Sequence, residues 1–211
     1  MTRRAVLGGG MAVLAAPMLA RAATARRFEL SRGGSDIGFH TLTAQTSGAD
    51  LIMDIAIEIR VKVLGLTAYL YEHRNRETWR DGRLVAIEAK TNADGEDDFC
   101  RVSRSGDGYE VEGSAFQGRL TGALAPTSYW NHNNFRIDRW ISTQSGKPLP
   151  VTFETRQAGG DEIWSVAGPD NFATELTYDA AMEWRSCRFD ARGTDIVYRE
   201  TAPGPRLLAL L

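Results

Sequence analysis

The sequence predicts a mainly β protein, a long-stranded and strongly curved antiparallel sheet or open barrel with one short helix or loop closing an end. Three observations support this prediction. Apolar and polar residues alternate over long segments, glycine-containing turns separate those segments, and the alternation stops only between residues 123 and 141. Strict alternation is typical of a strand with one buried face.

The clearest strand covers residues 51–63. Its apolar residues occupy every second position: Leu51, Met53, Ile55, Ile57, Ile59, Val61 and Val63. At about 3.3 Å per residue this strand spans roughly 40 Å, which exceeds the usual strand length. Because long strands twist and coil, the sheet is expected to curve.

Turn motifs separate the remaining strands, and Asp81-Gly82 is the strongest two-residue hairpin signal. Before the irregular segment, strands are predicted over residues 28–31, 37–45, 66–79, 84–90, 99–103 and 109–112. After it, strands are predicted over residues 151–156, 163–166, 174–178, 183–190 and 195–199. Within it, residues 127–134 are predicted as a loop or one short helix with Thr127 or Ser128 as N-cap.

The first 22 residues have the pattern of a twin-arginine signal peptide. Arg3-Arg4 precedes an uncharged apolar run, and Ala20-Arg21-Ala22 offers a cleavage site. A Sec signal that happens to carry paired arginines is the alternative. We therefore expect a single β domain over residues 23–211, located in the periplasm or secreted after cleavage near Ala22.

Charge and cysteine content limit the classes of partner. The chain has 25 basic and 27 acidic residues, and three of the arginines belong to the predicted leader, which leaves a net charge of −5. This balance argues against a nucleic-acid partner, and no second long apolar run predicts a transmembrane segment in the mature chain. An oxidising compartment permits a disulfide between Cys100 and Cys187, with two buried thiols as the alternative.

The laid-out sequence resembles the DUF6134 family of exported bacterial proteins of unknown function, and its layout is similar to the DUF3108 group. The stretches that carry the resemblance are residues 35–40, 60–63, 69–74, 77–84, 126–131 and 189–193, with Tyr198. The resemblance implies one curved antiparallel sheet outside the cytoplasm and carries no established activity. The cysteine pair is not part of the pattern.

Two segments supply candidate site residues. After Tyr71, the strand over residues 66–79 becomes charged on both faces, with His73 on the face of Tyr71 and Arg74 on the other. This pattern fits either a solvated strand end with ion pairs or a polar mouth to an apolar cavity. In the second segment, residues 126–134, aromatic rings beside amides suit a sugar or a polar headgroup. The alternative is that this segment plugs the open end of the sheet.

No complete catalytic motif, metal-ligand spacing or cofactor-binding motif occurs in the sequence, so we predict no catalytic residue, no metal and no cofactor. The leading hypothesis is a non-catalytic protein that binds a lipid-like or amphiphilic small molecule on the concave face. The predicted ligand-binding residues are Tyr69, Tyr71, His73, Arg74, Tyr129, Trp130 and Asn131. The alternatives are an enzyme acting on an envelope glycan, with His132 or Glu77 as acid or base, and a module that pairs through a sheet edge.

Overall fold

The computed structural model describes residues 24–191 and 193–211, so the predicted signal peptide lies outside the described residues. The described residues form sixteen strands and two 3₁₀ helices, His132–Arg136 and Leu208–Leu210. In chain order the strands are β1 (Thr24–Arg32), β2 (Ser35–Ser47), β3 (Asp50–Val63), β4 (Leu66–Arg80), β5 (Arg83–Ala93), β6 (Glu96–Ser105), β7 (Gly108–Gly113), β8 (Gln117–Thr121), β9 (Ala125–Pro126), β10 (Arg139–Ile141), β11 (Pro148–Pro150), β12 (Thr152–Ala158), β13 (Asp161–Ala167), β14 (Ala173–Tyr178), β15 (Trp184–Asp190) and β16 (Asp195–Ala202).

Thirteen of these strands form one antiparallel sheet, which confirms the predicted fold class. The order runs from β12 to β16, continues with β1 beside β16, and ends at β8. The pairing of β1 with β16, with Leu30 opposite Tyr198, joins the two ends of the domain. Consecutive hairpins make up everything else in this sheet, as the turn motifs predicted.

Strand β3 shows how the alternation becomes a core. Leu51, Met53 and Ile55 are buried in a single hydrophobic cluster, while the residues between them lie on the outer face. Strand β2 approaches β3 closely at Gly38, where an added Cβ would lie 1.8 Å from the carbonyl oxygen of Glu58. A glycine is therefore required at this crossing of the curved sheet.

The irregular segment fills the inside of the sheet, and we call residues 124–151 the plug. It contains a small second sheet in which β10 pairs with β9 in parallel and with β11 in antiparallel fashion. Trp130, Trp140 and Ile141 of the plug are fully buried. Neither the small sheet nor β8 was predicted, because segments of two to five residues are too short to show alternation.

The helix predicted near residues 127–134 is present but begins later. Asn131, rather than Thr127 or Ser128, is the N-cap, and its side-chain oxygen accepts a hydrogen bond of 3.0 Å from the Asn133 backbone N–H. The Thr127 hydroxyl oxygen instead accepts a 3.1 Å hydrogen bond from the Thr143 backbone N–H. The predicted cap was wrong because this hydroxyl bonds another part of the plug.

Candidate functional site

Trp130 and Asn131, both predicted to contact ligand, are buried inside the plug. The Trp130 indole N–H donates a 3.0 Å hydrogen bond to the Glu77 carboxylate on β4. Its ring packs edge-on against Trp79, with ring centroids 5.4 Å apart. These contacts fit the plug interpretation of the aromatic segment, because a side chain enclosed in this way presents no surface to a ligand.

Glu77 connects the sheet wall to the plug. Besides Trp130, the Asn75 side-chain amide and the Trp79 indole donate hydrogen bonds of 2.9 and 3.0 Å to its carboxylate. Burial raises the pKa of Glu77, and the surrounding donors lower it in part. Since Glu77 is fully buried, it is poorly placed to exchange protons with a substrate, and its contacts are those of a structural anchor.

His73 and Arg74, both predicted to bind ligand, face opposite sides of β4, as their positions in the strand predicted. The His73 ring nitrogens lie 2.8 Å from Thr91 Oγ1 and 3.4 Å from Thr143 Oγ1 of the plug. Burial lowers the pKa of His73 to about 4, so the ring is neutral at pH 7. Arg74 is exposed on the outer face and forms an ion pair with Glu58. Neighbouring strand residues cannot share a face, so these two side chains do not contact a ligand on the same side of the sheet.

Tyr129 is half-buried and belongs to the aromatic packing of the plug. Its backbone carbonyl accepts a 2.6 Å hydrogen bond from the Tyr178 hydroxyl. Its ring packs edge-on against Trp184, with centroids 5.8 Å apart. The predicted set from Tyr129 to Asn131 therefore holds the plug against β4, β14 and β15.

Tyr69 and Tyr71 lie on the inward face of β4 nearer the β3–β4 turn, and Tyr71 contacts the edge of the plug at Gln144. They are half-buried and stand opposite Val61 and Ile59 of β3. Ile57, Ile59 and Val61 are partly buried against the hydrophobic core, and the two tyrosines continue the same face through their strand pairing. We call this row the open-end strip; it consists of Ile57, Ile59, Val61, Tyr69 and Tyr71.

The open-end strip ends in a short chain of polar contacts. The Tyr71 hydroxyl donates a 3.4 Å hydrogen bond to the side-chain oxygen of Gln144, and the Gln144 amide donates a 3.1 Å bond to Asp98. Burial raises the pKa of Tyr71, so its hydroxyl stays protonated. An apolar surface that leads to hydrogen-bonding groups suits an amphiphilic ligand.

Two surface grooves lie on the outer face of the large sheet. One has a volume of about 670 Å³ and crosses β2 to β6, and its charged side chains include Arg76, which forms an ion pair with Asp54. The other has a volume of about 480 Å³ and crosses β12 to β16, where Arg188 forms an ion pair with Asp195. The charges in both grooves are largely paired within the sheet, which leaves them few groups for a ligand.

Cys100 on β6 and Cys187 on β15 are both buried free thiols, so the structure does not contain the disulfide that the sequence permitted. Burial raises the pKa of each thiol to about 12. Cys187 Sγ lies 3.1 Å from the hydroxyl of Thr174. Six strands separate β6 from β15 in the sheet, a separation that chain position alone does not reveal.

Sequence reasoning missed two buried polar groups, Arg26 and His40, and the carboxylate partner of the half-buried His132. Arg26 is enclosed between Glu183 and Glu200, at 2.6 and 2.7 Å. His40 is packed between aromatic rings, and neither of its ring nitrogens has a hydrogen-bond partner among the described residues. His132 Nε2 lies 2.7 Å from the Glu162 carboxylate, beside Phe135, Trp164 and Tyr178. None of these contacts has a local sequence signal, because each joins residues 30 or more positions apart or rests on tertiary packing.

A sheet of thirteen antiparallel strands around an internal plug defines a β-barrel-like domain with a filled interior. Within this class, residues 28–201 match the model of DUF6134, a domain of unknown function, and the chain belongs to that family. The resemblance to the DUF3108 group stays a prediction.

A solved structure with a similar fold is the crystal structure of a β-barrel-like protein of domain of unknown function DUF1849 from Brucella abortus. It has a TM-score of 0.53 and 10% sequence identity, and the match covers 85% of this chain and 95% of that chain. No curated protein matches this sequence. In the described part of the chain, no helix has the length and apolar character needed to cross a membrane.

Proposed function

We propose that the protein is an exported, non-catalytic protein that binds a lipid-like or amphiphilic small molecule against the open-end strip. The observation that supports this proposal most directly is the change in burial along one face of β3. Leu51, Met53 and Ile55 are buried, whereas Ile57 and Ile59 are only half-buried although they continue the same apolar row. Apolar side chains that the protein's own core covers only in part can take up apolar groups of a ligand.

The polar contacts beside the strip support an amphiphile rather than a wholly apolar molecule. An alkyl chain would lie along Ile59, Val61 and Tyr69, where burial of each CH₂ contributes about 0.8 kcal/mol. Its polar head would reach the Tyr71 hydroxyl and the Gln144 amide. Of the residues predicted to bind ligand, this proposal keeps Tyr69 and Tyr71 and assigns Trp130 and Asn131 to the plug.

The proposal can be tested with a dansyl-labelled fatty acid, whose emission rises and shifts to the blue in an apolar site. Val61→Glu places a carboxylate on the open-end strip, and we expect roughly tenfold weaker binding because the alkyl chain would have to cover a charge. Mass spectrometry of lipids extracted from the isolated protein would identify the natural ligand.

Thr67→Glu provides the matched control, since it adds the same charge to the same hairpin. Thr67 is exposed and pairs with Lys62 on the opposite face. Binding of the fluorescent fatty acid to this variant should equal that of the wild type. If both variants lose fatty-acid binding equally, the added charge alone explains the loss and its position on the strip does not matter. If the fatty acid does not bind the wild type, the proposal is contradicted.

Export is the second part of the proposal, supported by the paired arginines and the uncharged run that follows them. Arg3→Lys combined with Arg4→Lys should hold the precursor in the cytoplasm, because the twin-arginine pathway recognises the paired guanidinium groups. Cell fractionation measures this directly. Unchanged export of the double variant would assign the leader to the Sec pathway.

A further inference from the structure

The hairpin between β3 and β4 extends past its neighbouring strands. Pairing of β3 with β2 ends at Ile59, and pairing of β4 with β5 ends at Tyr71. We call residues 60–69 the projecting hairpin. It is a two-stranded ribbon, and such a ribbon gains little stability from its own hydrogen bonds.

The tip of the projecting hairpin is apolar and exposed. Leu64 is 98% exposed, Leu66 76% and Val63 56%, and they are the three most exposed large hydrophobic side chains in the described part of the chain. Single exposed apolar residues are ordinary on protein surfaces, but a contiguous apolar tip marks a surface that contacts a partner.

The turn itself shows that an apolar residue occupies an unfavourable position. Leu64 and Gly65 both have positive φ, at 52° and 84°. Two other two-residue turns with positive φ at both positions, Asp81-Gly82 and Asp94-Gly95, carry aspartate first. Asn, Asp and Gly are the residues that this turn type prefers, and leucine is strained there. The requirements of the turn therefore do not explain why a leucine occupies position 64.

The charges around the tip have one sign. Arg60 and Lys62 are exposed on the outer face of β3, and residues 59–71 contain no acidic residue. The chain as a whole carries a net charge of −2, so this local cationic patch stands out against an acidic protein. Tyr69 and Tyr71 are farther from the turn than the apolar tip, at the point where the projecting hairpin joins the rest of the sheet.

We propose that the projecting hairpin docks the protein on an anionic phospholipid bilayer. Val63, Leu64 and Leu66 enter the boundary between headgroups and acyl chains, and Arg60 and Lys62 contact lipid phosphates. The tyrosines stand at headgroup level, where amphipathic rings are favoured. This contact shares Tyr69 and Tyr71 with the open-end strip, whereas the three tip side chains and the two cations belong to the membrane contact alone.

Charge complementarity favours a bilayer over the other occupants of this surface. A second copy of the chain docked tip to tip would bring the same two cations to the contact. The first 22 residues of the chain hold three arginines and no acid, so they too would be repelled. Anionic lipid supplies both the negative charge and the apolar layer that the hairpin lacks.

The experiment is flotation of the protein as isolated from its cells, with its N-terminus read by mass spectrometry. The vesicles are phosphatidylcholine alone or phosphatidylcholine with phosphatidylglycerol. We expect binding to the anionic vesicles, and weaker binding as salt is raised. All variants share one N-terminus, so any contribution from the first residues cancels in the comparison.

Leu64→Asn combined with Leu66→Thr is the decisive variant. Asn-Gly is a preferred sequence for this turn, and threonine suits a strand, so the hairpin should keep or gain stability. We expect vesicle binding to fall at least about tenfold, since two apolar side chains no longer enter the lipid. Arg60→Gln with Lys62→Gln should lower binding about fivefold per charge.

Arg83→Gln with Lys90→Gln is the control for charge, because it removes two exposed cations elsewhere on the sheet. Binding by this variant should stay within about twofold of the wild type. A dye on Leu64→Cys should shift to the blue with anionic vesicles, and a dye on Asp81→Cys, at the opposite end of β4, should not. The two native cysteines are buried and will not compete for the label.

Three results would overturn the proposal. The first is equal flotation of the wild type and the Leu64→Asn, Leu66→Thr variant, and the second is no flotation of the wild type with anionic vesicles. The third is self-association that the tip variant abolishes while vesicles bind neither protein, which would assign the tip to a second copy. If the wild type floats with anionic vesicles but does not bind the fluorescent fatty acid, the proposal of a ligand on the open-end strip fails and membrane docking stands.

Discussion

The two ends of the β3–β4 hairpin have the same alternating sequence and opposite surroundings. At the base, Met53 of β3 is fully buried and Glu77 of β4 holds the plug. At the tip, Val63 and Leu64 are exposed. The difference shows that alternation assigns side chains to a face, whereas burial depends on what lies opposite that face. The base faces the plug, and the tip extends beyond it.

This contrast also separates stability from binding. Filled, hydrogen-bonded contacts at the base contribute to the free energy of unfolding, and the tip contributes little to it. Surfaces that bind a partner are drawn from regions that the protein does not need for its own core. The comparison can therefore be tested by substitutions that measure each end in turn.

The largest expected effect comes from placing the same carboxylate at each end of β3. Met53→Asp buries an unpaired charge, and we expect a loss of more than about 4 kcal/mol in the free energy of unfolding. Val63→Asp, on the same face at the tip, should change it by less than about 1 kcal/mol. Urea denaturation measures both, and similar losses would contradict the contrast between base and tip.

The next effect concerns Glu77, which anchors the plug. Glu77→Leu leaves the indole N–H groups of Trp79 and Trp130 and the Asn75 amide without their acceptor, and we expect a loss of about 3–5 kcal/mol. Glu88→Leu changes an exposed glutamate on the outer face of β5 and should stay within about 0.5 kcal/mol. Thermal denaturation compares the two variants. Equal melting temperatures would show that the stability of the plug does not depend on Glu77.

The smallest effect concerns acid stability and His40. Burial lowers the pKa of His40 to about 3, with a smaller contribution from His73. The unfolded chain, with an ordinary pKa of 6.5, therefore binds more protons between these two values, and stability falls as pH falls through this window. The loss from His40 alone should reach about 2 kcal/mol between about pH 6.5 and 4.5.

His40→Leu should remove this part of the acid sensitivity. The ring has no hydrogen-bond partner among the described residues, so an apolar side chain of similar volume should cost less than about 1.5 kcal/mol at pH 7. Urea denaturation at several pH values compares the two slopes. An unchanged slope would mean that the folded protein protonates His40 or that other groups dominate acid unfolding.

The residues of the open-end strip could be predicted because they follow from strand parity. Ile57 and Ile59 share a face with Tyr69 and Tyr71 wherever β3 pairs with β4 in this register, and the sequence pattern contains that information. The contacts of the other predicted binding residues could not be predicted. Trp130 and Asn131 look like binding residues by composition, and whether they face a ligand or Glu77 depends on a contact across 53 positions.

By itself, the sequence determined the longer strands of the large sheet, their inward faces and their turns, because side-chain alternation and turn chemistry are local properties of the chain. Asp81-Gly82 and the apolar row of β3 are examples. Only the tertiary structure decided that β1 pairs with β16, that Arg26 meets Glu183 at a separation of 157 positions, and that the plug covers one half of the apolar row. These outcomes depend on which surfaces meet when the sheet closes, and no local pattern records that.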